Sequence, residues 1–312
     1  MMLFAIAELL VGFIMLVLGA HWLVAGAASL AVQMGISTAI VGLTIVAYGT
    51  SLPEATVSAV SAFLGNPEIA LGNVVGSNIA NIGLIIGVSA IVRPIHVDFA
   101  FLKRDFPILG IVTVLFLFFL SDGEISRWEG GLLMVAGFLY SAFLIFATGK
   151  TQDTTNEEIP EIKSRKKQIT YILLGLTLLL GGGKLAVSKA VDIAKILGLS
   201  ERVIGLTIVA IGTSLPELAA SIVAALKKQS AIAIGNILGS NIFNILFVLG
   251  VSCTITAIRV PTGPRLNIDL LVFVGFTALF GFFMFTLRRI ARWEGVLLLA
   301  GYIAYNGYLL YA

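Results

Sequence analysis

Two segments of this 312-residue chain are copies of one another, and that duplication constrains the fold more than any single residue does. Ser37–Ser89 aligns with Ser200–Ser252 without a gap at a shift of 163, and 29 of the 54 positions from 37 to 90 are identical. The matching cores are GLTIVAYGTSLPE (42–54) against GLTIVAIGTSLPE (205–217), and GNVVGSNIAN (72–81) against GNILGSNIFN (235–244). A shift of 165 adds a second match, RWEG at 127–130 and again at 292–295. A long repeat of this kind makes each copy a structural unit, so the fold is set by how two units are arranged.

The surroundings of the repeat decide the solvent. Apolar runs of the length that crosses a bilayer, about 20 residues with a range of roughly 17–25, fall near 3–30, 37–63, 69–92, 106–121, 129–148, 169–197, 203–226, 231–257, 268–287 and 293–312. That makes ten spans. The chain is 58% hydrophobic and 12% charged, against about 25% charged in soluble domains. A soluble enzyme, a nucleic-acid binder and a disordered chain are thereby excluded, because a water-facing surface cannot be built from so few charges. The first 28 residues lack the basic start of a signal peptide and their apolar run is too long for one, so they read as the first span. The single cysteine, Cys253, provides neither a disulfide nor a metal cluster.

The organisation follows. Residues 1–148 form a first five-span repeat, 149–168 a polar linker rich in Asp, Glu, Lys and Arg, and 169–312 a second five-span repeat, all within a single transmembrane domain. Five is odd, so the two copies enter the membrane from opposite sides and form an inverted repeat, an arrangement found in many secondary transporters. The expected fold is an all-α membrane protein of ten helices, with helices 2 and 7 broken. Basic residues fix the orientation. With the N-terminus outside, cytoplasmic loops hold 13 of the Lys and Arg residues and outer loops hold 6. Both termini are therefore expected outside, with the linker in the cytoplasm.

Most carboxylates lie at span ends. Glu54 and Glu217 do not; each sits within a span, at equivalent repeat positions, with no basic residue near it in sequence. An intramembrane acid costs at least about 2.5–3.5 kcal/mol on insertion scales and is a functional hypothesis by default. Ala47, Thr50, Ser51 and Glu54 fall at i, i+3, i+4 and i+7, one face of a helix, and Ala210, Thr213, Ser214 and Glu217 repeat the pattern. Pro53 and Pro216 remove a backbone donor and clash one turn back, at Gly49 and Gly212, which should open the helix and free carbonyls from about Ala47 to Thr50. Irregular backbone at membrane depth is tolerated where it lines a cavity or is buried in protein. The next span offers Ser77 and Asn81, and in the second copy Ser240 and Asn244, each pair at i and i+4. Gly72, Gly76, Gly235 and Gly239 give the small-xxx-small spacing of close helix approach, expected to bring Ser77 and Asn81 near Glu54. Carbonyls, hydroxyls and carboxylates form an all-oxygen surface suited to hard cations. Two carboxylates balance one Ca2+ or two Na+; Mg2+ dehydrates too reluctantly to compete. His21 and Lys184, repeat equivalents in spans 1 and 6, could face the site, an access path or only the packing.

At these residues the chain resembles the Ca2+/cation antiporter superfamily, and within it the prokaryotic sodium/calcium exchangers. The resemblance rests on both copies of G-T-S-L-P-E and both G-N-x-x-G-S-N-x-x-N segments, and it covers almost the whole chain. It implies a secondary antiporter that exchanges Na+ for Ca2+ by alternating access, electrogenically, in the plasma membrane of a prokaryote. It also implies no catalytic chemistry and no prosthetic group; the ligands are the transported ions, and one chain is sufficient. Residue by residue, Glu54 and Glu217 with the carbonyls of Thr50 and Thr213 would form a central Ca2+ site. Ala47, Ser51, Ser77, Ala210, Ser214 and Ser240 would complete flanking Na+ sites, and Asn81 and Asn244 would line the middle. Asn244 stands where potassium-dependent members carry Asp, which argues against potassium coupling. Family architecture implies that spans 1 and 6 slide against the other eight. A Ca2+/H+ antiporter, or another cation/Ca2+ antiporter, is the alternative. An intramembrane metalloprotease would need an H-E-x-x-H helix, which His21 and His96 cannot supply, and seryl chemistry would need a base beside Ser51 or Ser214. A channel is the further rival reading, because pores also use carboxylates.

Overall fold

The computed structural model describes residues 2–146, 162–198, 208, 210–259 and 264–311. It is helical almost throughout. Before the linker run α1 (Met2–Met34), α2 (Thr38–Thr50), α3 (Leu52–Phe63), α4 (Pro67–Val92), α5 (Phe106–Phe119) and α6 (Arg127–Phe146). After it run α7 (Arg165–Ile196), α8 (Ala210–Gly212), α9 (Leu215–Leu226), α10 (Ser230–Ile255), α11 (Pro264–Leu287) and α12 (Arg292–Tyr311). Among the described residues six helices are long and apolar enough to cross a membrane, and α2 with α3, bent by 47° at their break, makes up to seven if the pair is one span. The start of the expected 203–226 span and most of the 149–168 linker lie outside the described residues. Helix α7 begins at Arg165, so the last residues of the polar stretch are helical. The expected 106–121 span is extended backwards by a π-helical turn, Phe101–Asp105, whose Lys103 and Arg104 hide it from an apolar count. Asp105 at its end is fully buried and gripped by its neighbour, Arg104 Nε and Nη2 donating at 2.9 and 3.0 Å.

Helices α4 and α10 are the centre of the molecule, buried over most of their length, whereas α1 and α6 expose most of theirs. The exposed residues are Leu, Phe, Val and Ile in large number, Phe118, Phe138, Phe146, Phe282 and Phe285 among them, a surface that lipid can solvate and water cannot. Trp128 and Trp293 stand exposed at the starts of α6 and α12, as interfacial anchors do.

Helices α1 and α7 pack antiparallel at backbone contact. A Cβ added at Gly19 would lie 2.7 Å from both Gly175 O and Leu179 N, and one at Gly12 would lie 3.0 Å from Gly182 O. Gly12, Gly19 and Gly26 recur every seven residues and meet Gly182, Gly175 and Gln168 in turn, so the same stripe of α1 faces α7 for almost four turns. At the far end Lys189 Nζ bridges Glu8 at 3.0 Å and Asp192 at 3.2 Å.

The RWEG motif explains itself locally. Glu129 accepts from the Ser126 amide at 2.7 Å and its hydroxyl at 2.8 Å, while Glu294 accepts from the Ala291 amide at 2.7 Å; each closes the first turn of its helix as a capping-box acid does. The glycine that follows allows a backbone crossing: Cβ atoms would sit 2.9 Å from Gly250 O at Gly130 and 2.7 Å from Gly87 O at Gly295. Two short antiparallel strand pairs tie the repeats together at their rims. β1 (Ile95–His96) pairs with β4 (Arg289–Ile290), and β2 (Glu124–Ile125) pairs with β3 (Ile258–Arg259). Each pair joins two loops that the distribution of basic residues assigns to one membrane face.

Six residues have positive φ, and they are three repeat pairs: Gly35 with Gly198, Gly65 with Lys228, and Gly123 with Arg288. The backbone is duplicated even where the side chain is not. In the second copy two glycines of the left-handed region have become basic residues, both on the linker-side face. The charge there is obtained at a conformational cost of about 1–2 kcal/mol per residue.

Candidate ion-binding site

The two motif copies build two broken helices. Between α2 and α3 the chain leaves helical geometry at Ser51 (φ −82°, ψ 10°), and between α8 and α9 it does so at Ser214 (φ −92°, ψ 8°). Pro53 and Pro216 then occupy the first turns of α3 and α9, where a missing N–H costs nothing. The break is later than the sequence suggests. The Ser51 amide still takes Ala47 O at 3.0 Å, so the helix holds through Ala47 and opens beyond it. Glu54 and Glu217 fall in the first turns of 12-residue helices, whose N-terminal dipoles favour a negative charge.

The two copies meet across their boundary rather than within it. Ser51 Oγ donates to Glu217 Oε1 at 2.9 Å and lies 3.0 Å from Ser240 Oγ; Ser214 Oγ donates to Glu54 Oε1 at 3.3 Å. Each carboxylate thus takes its hydroxyl from the other repeat. The hydroxyls of Thr213 and Thr50 add to the surroundings of Glu54 and Glu217 respectively. Asn73 Nδ2 holds the Glu54 carbonyl at 3.1 Å and Ser58 Oγ at 2.8 Å, while Asn236 Nδ2 holds the Glu217 carbonyl at 3.4 Å and Ser221 Oγ at 2.9 Å. Asn236 also accepts from Thr50 Oγ1 at 3.3 Å. Between the repeats, Asn81 Nδ2 donates to Asn241 Oδ1 at 2.9 Å and Asn244 Nδ2 to Asn78 Oδ1 at 3.1 Å. Asn81 and Asn244 each begin a π-helical stretch, Asn81–Ile86 and Asn244–Leu249, a local widening of the kind found at functional sites.

Glu54, Glu217, Asn81 and Asn244 are each 1% exposed. Among the described residues, Glu54 Oε2, Glu217 Oε2, Asn81 Oδ1 and Asn244 Oδ1 have no hydrogen-bond donor, and neither carboxylate forms an ion pair. Four buried oxygens that need a positive partner, and are supplied with no basic side chain, suit a cation. No group of three His, Cys, Asp or Glu occurs among the described residues. Any cation held here is therefore held by two carboxylates and neutral oxygens, the donor set of hard ions.

Ala47, Thr50, Ser51, Glu54, Ser77, Asn81, Ser214, Ser240, Glu217 and Asn244 are all buried, and Thr213 is half-buried. The backbone of Ala210 lies in α8; its side chain is outside the described residues. Ser77 sits on α4 at the position equivalent to Ser240. Asn81 reaches Asn241 in the other repeat rather than Glu54 in its own. Gly235 and Gly239 do bring helices together, their added Cβ atoms lying 2.8 Å from Ala39 O and 2.5 Å from Leu43 O. A Cβ added at Gly72 or Gly76 would meet no described atom within 4 Å beyond its own helix's neighbouring backbone; the segment equivalent to Ala39–Leu43 falls at 202–206, outside the described residues. Spacing alone did not single out Asn73, Asn78, Asn236, Asn241, Ser58 and Ser221, although all six stand at identical positions in the two copies.

The duplication is not mirrored in packing. Helix α1 lies along α9, but the equivalent pair, α7 and α3, is parted by a cavity of about 590 Å3. Leu52 and Pro53 of the first break, Thr213 and Pro216 of the second, and Lys184 and Ser188 of α7 line it. It adjoins the distal half of α7, away from the linker, and reaches Thr213 beside the acids.

A family model described as sodium/calcium exchanger protein matches residues 4–149 and 167–311, interrupted only at the linker. The chain is 44% identical over 321 residues to the protein CaxA of Alkalimonas amylolytica, covering all of both. It is 33% identical to the sodium/calcium exchanger MaX1 of Methanosarcina acetivorans, over 97% of each chain. A solved structure of the sodium-calcium exchanger NCX_Mj superposes with a TM-score of 0.86 at 33% identity, covering 99% of this chain and 100% of that one. The repeated acids, the broken helices that present them and matches spanning both repeats agree: the chain is a membrane transporter, not an enzyme, and belongs to the sodium/calcium exchanger protein family.

Proposed function

We propose that the chain exchanges Na+ for Ca2+ electrogenically, by alternating access, between two inverted five-span repeats that make up one transmembrane domain. The observation that carries this reading is the pair Glu54 and Glu217, equivalent by repeat, each with one carboxylate oxygen bonded by a serine of the other repeat and one without a donor among the described residues. Those two free oxygens, with the carbonyls of Thr50 and Thr213, are the proposed Ca2+ ligands. Ala47, Ser51, Ser77, Ala210, Ser214 and Ser240 supply flanking Na+ ligands, and Asn81 and Asn244 line the middle. Two negative charges neutralise one Ca2+ or two Na+, and a third Na+ adds a charge that moves across the membrane, which makes the cycle electrogenic. A site that holds either load but not both is the physical basis of exchange.

Alternating access is supported by the one-sided cavity. The glycine-zipped α1–α7 pair is closed on α9 and open on α3; moving it as a unit would exchange the two conditions. The proposed setting is a prokaryotic plasma membrane, with both termini outside and the cavity on the outer face. The test is a gradient swap in proteoliposomes. Ca2+ movement driven by an imposed Na+ gradient, and accelerated by a membrane potential of the appropriate sign, is expected. Flux that follows only a pH gradient would replace this reading with Ca2+/H+ antiport, and flux that neither saturates nor needs a counter-ion would indicate a channel.

A further inference from the structure

We infer that Lys184 is a charge-selective residue of the access cavity, one that disfavours Ca2+ relative to Na+ at the face where the cavity opens. Lys184 is exposed on α7 and lines the cavity together with Thr213, which adjoins the acids, and with the two break prolines, Pro53 and Pro216. It forms no ion pair among the described residues, so its ammonium charge is not cancelled at short range. Its repeat equivalent, His21, lies instead on the closed side, where Lys227 Nζ reaches the His21 carbonyl at 3.0 Å. The lysine is therefore presented to one access route.

The physics of selectivity is simple. A fixed positive charge repels an ion in proportion to the ion's own charge, so the Boltzmann penalty on a divalent ion is the square of that on a monovalent one. A separation on the order of 10 Å across water gives roughly a twofold penalty for Na+ and roughly fourfold for Ca2+. An exchanger that releases Ca2+ where its cavity opens gains from that asymmetry, because external Ca2+ rebinds less well while Na+ is admitted. Burial of the lysine against apolar lining would be a costly way to achieve packing alone, and the side chain is not buried.

The inference rests on the exchange reading, and its test separates the two. Half-saturating Ca2+ and Na+ are measured from each face in sided proteoliposomes for wild type, Lys184→Gln, Lys184→Glu and Lys184→Arg. Lys184→Gln is expected to lower half-saturating Ca2+ at the cavity face about fourfold and Na+ about twofold, with Lys184→Glu going further, Lys184→Arg unchanged, and the linker-side face unaffected. In the wild type, added choline chloride should lower half-saturating Ca2+ at the cavity face by screening, and should do so less in Lys184→Gln. Unchanged half-saturation in an active Lys184→Gln, or equal shifts for both ions, overturns the assignment. Equilibrium Ca2+ binding reads the same shift without transport, so absence of Na+-driven flux in the wild type would overturn the exchange reading alone.

Discussion

The α1–α7 contact makes a prediction whose sign is opposite to the usual rule. In an open helix position, Gly→Ala stabilises by up to about 1 kcal/mol, because glycine sacrifices more backbone freedom on folding. Gly110 in α5 is such a position, with no described atom within 4 Å of an added Cβ. At Gly19 the added Cβ would lie 2.7 Å from Gly175 O and from Leu179 N, both backbone atoms that no rotamer change can move. Ordinary contact begins at 3.4 Å, so the helices must separate locally by about 0.7 Å, and the neighbouring Gly12 and Gly26 crossings lose dispersion contact as they do. Overpacking of this kind costs about 1–3 kcal/mol, which exceeds the helix-propensity gain. Gly19→Ala and Gly182→Ala are therefore expected to lower the thermal unfolding midpoint in detergent, whereas Gly110→Ala leaves it unchanged or raises it. Thermal unfolding of the three purified variants, followed by tryptophan fluorescence or size-exclusion survival, is the assay. A Gly19→Ala protein as stable as Gly110→Ala would refute backbone-limited packing of this pair, and with it the idea that the two helices move as one body.

Other consequences are sharper at the site itself. Glu54→Gln and Glu217→Gln should each abolish Ca2+ transport while the protein still folds and elutes as wild type; retained flux in either would remove the site assignment. Ser51 has two site partners at 2.9 and 3.0 Å, whereas Ser214 has one at 3.3 Å. Loss of a hydrogen bond to a charged group costs about 1.5–3 kcal/mol, so Ser51→Ala should raise half-saturating Ca2+ by roughly 10- to 100-fold and Ser214→Ala by less. Lys228→Gly should stabilise by about 1 kcal/mol by relieving positive φ, measured as a rise in unfolding midpoint, and Gly65→Ala should do the reverse. Burial lowers Lys227, just beyond α9, from its ordinary 10.5 to about 8. Between those values the unfolded chain binds the extra proton, so stability should rise with pH across that window, and Lys227→Met should flatten the slope.

What could be read from the sequence was whatever is local or duplicated. The acids, the prolines and the hydroxyls around them occur twice within a few residues, and spacing alone places Ser51 and Glu54 on one helix face. Partners across the boundary were not legible. Helical spacing puts Asn81 beside residues of its own repeat, yet its amide finds Asn241, because the two central helices cross where the copies meet. Asn73 and Asn236, which brace the carbonyls of Glu54 and Glu217 from the adjacent helix of the same repeat, were hidden because spacing along one helix does not show what the next helix presents to it. Gly72 and Gly235 are identical in sequence, but only Gly235 has a described backbone neighbour. The π-helical turn before α5 was hidden for a different reason, since Lys103, Arg104 and Asp105 look like a loop until the Arg104 guanidinium covers the buried carboxylate.

The duplication bears on energetics as much as on architecture. If the two halves were identical, sliding α1 and α7 from one side to the other would convert the molecule into its own image, and the two access states would have equal free energy. Pairing within the zipper supports this, since Gly12 faces Gly182 and Gly19 faces Gly175, contacts that are interchanged by the repeat. Whatever bias the protein has must then come from positions where the copies differ along the moving boundary. Many positions of α1 and α7 differ between the copies, and three differences stand on the open and closed sides. His21 stands opposite Lys184 in the alignment, Leu64 opposite Lys227, and Gly65 opposite Lys228. In the conformation described here Lys227 ties α9 to α1 through the His21 carbonyl, and its counterpart Leu64 cannot form such a bond to α7, where the cavity is open instead. Conserving the site while varying its surroundings lets one ion-binding geometry face two solutions with unequal preference. The binding chemistry therefore belongs to the identical residues, and the direction in which it is most readily used belongs to those that diverged.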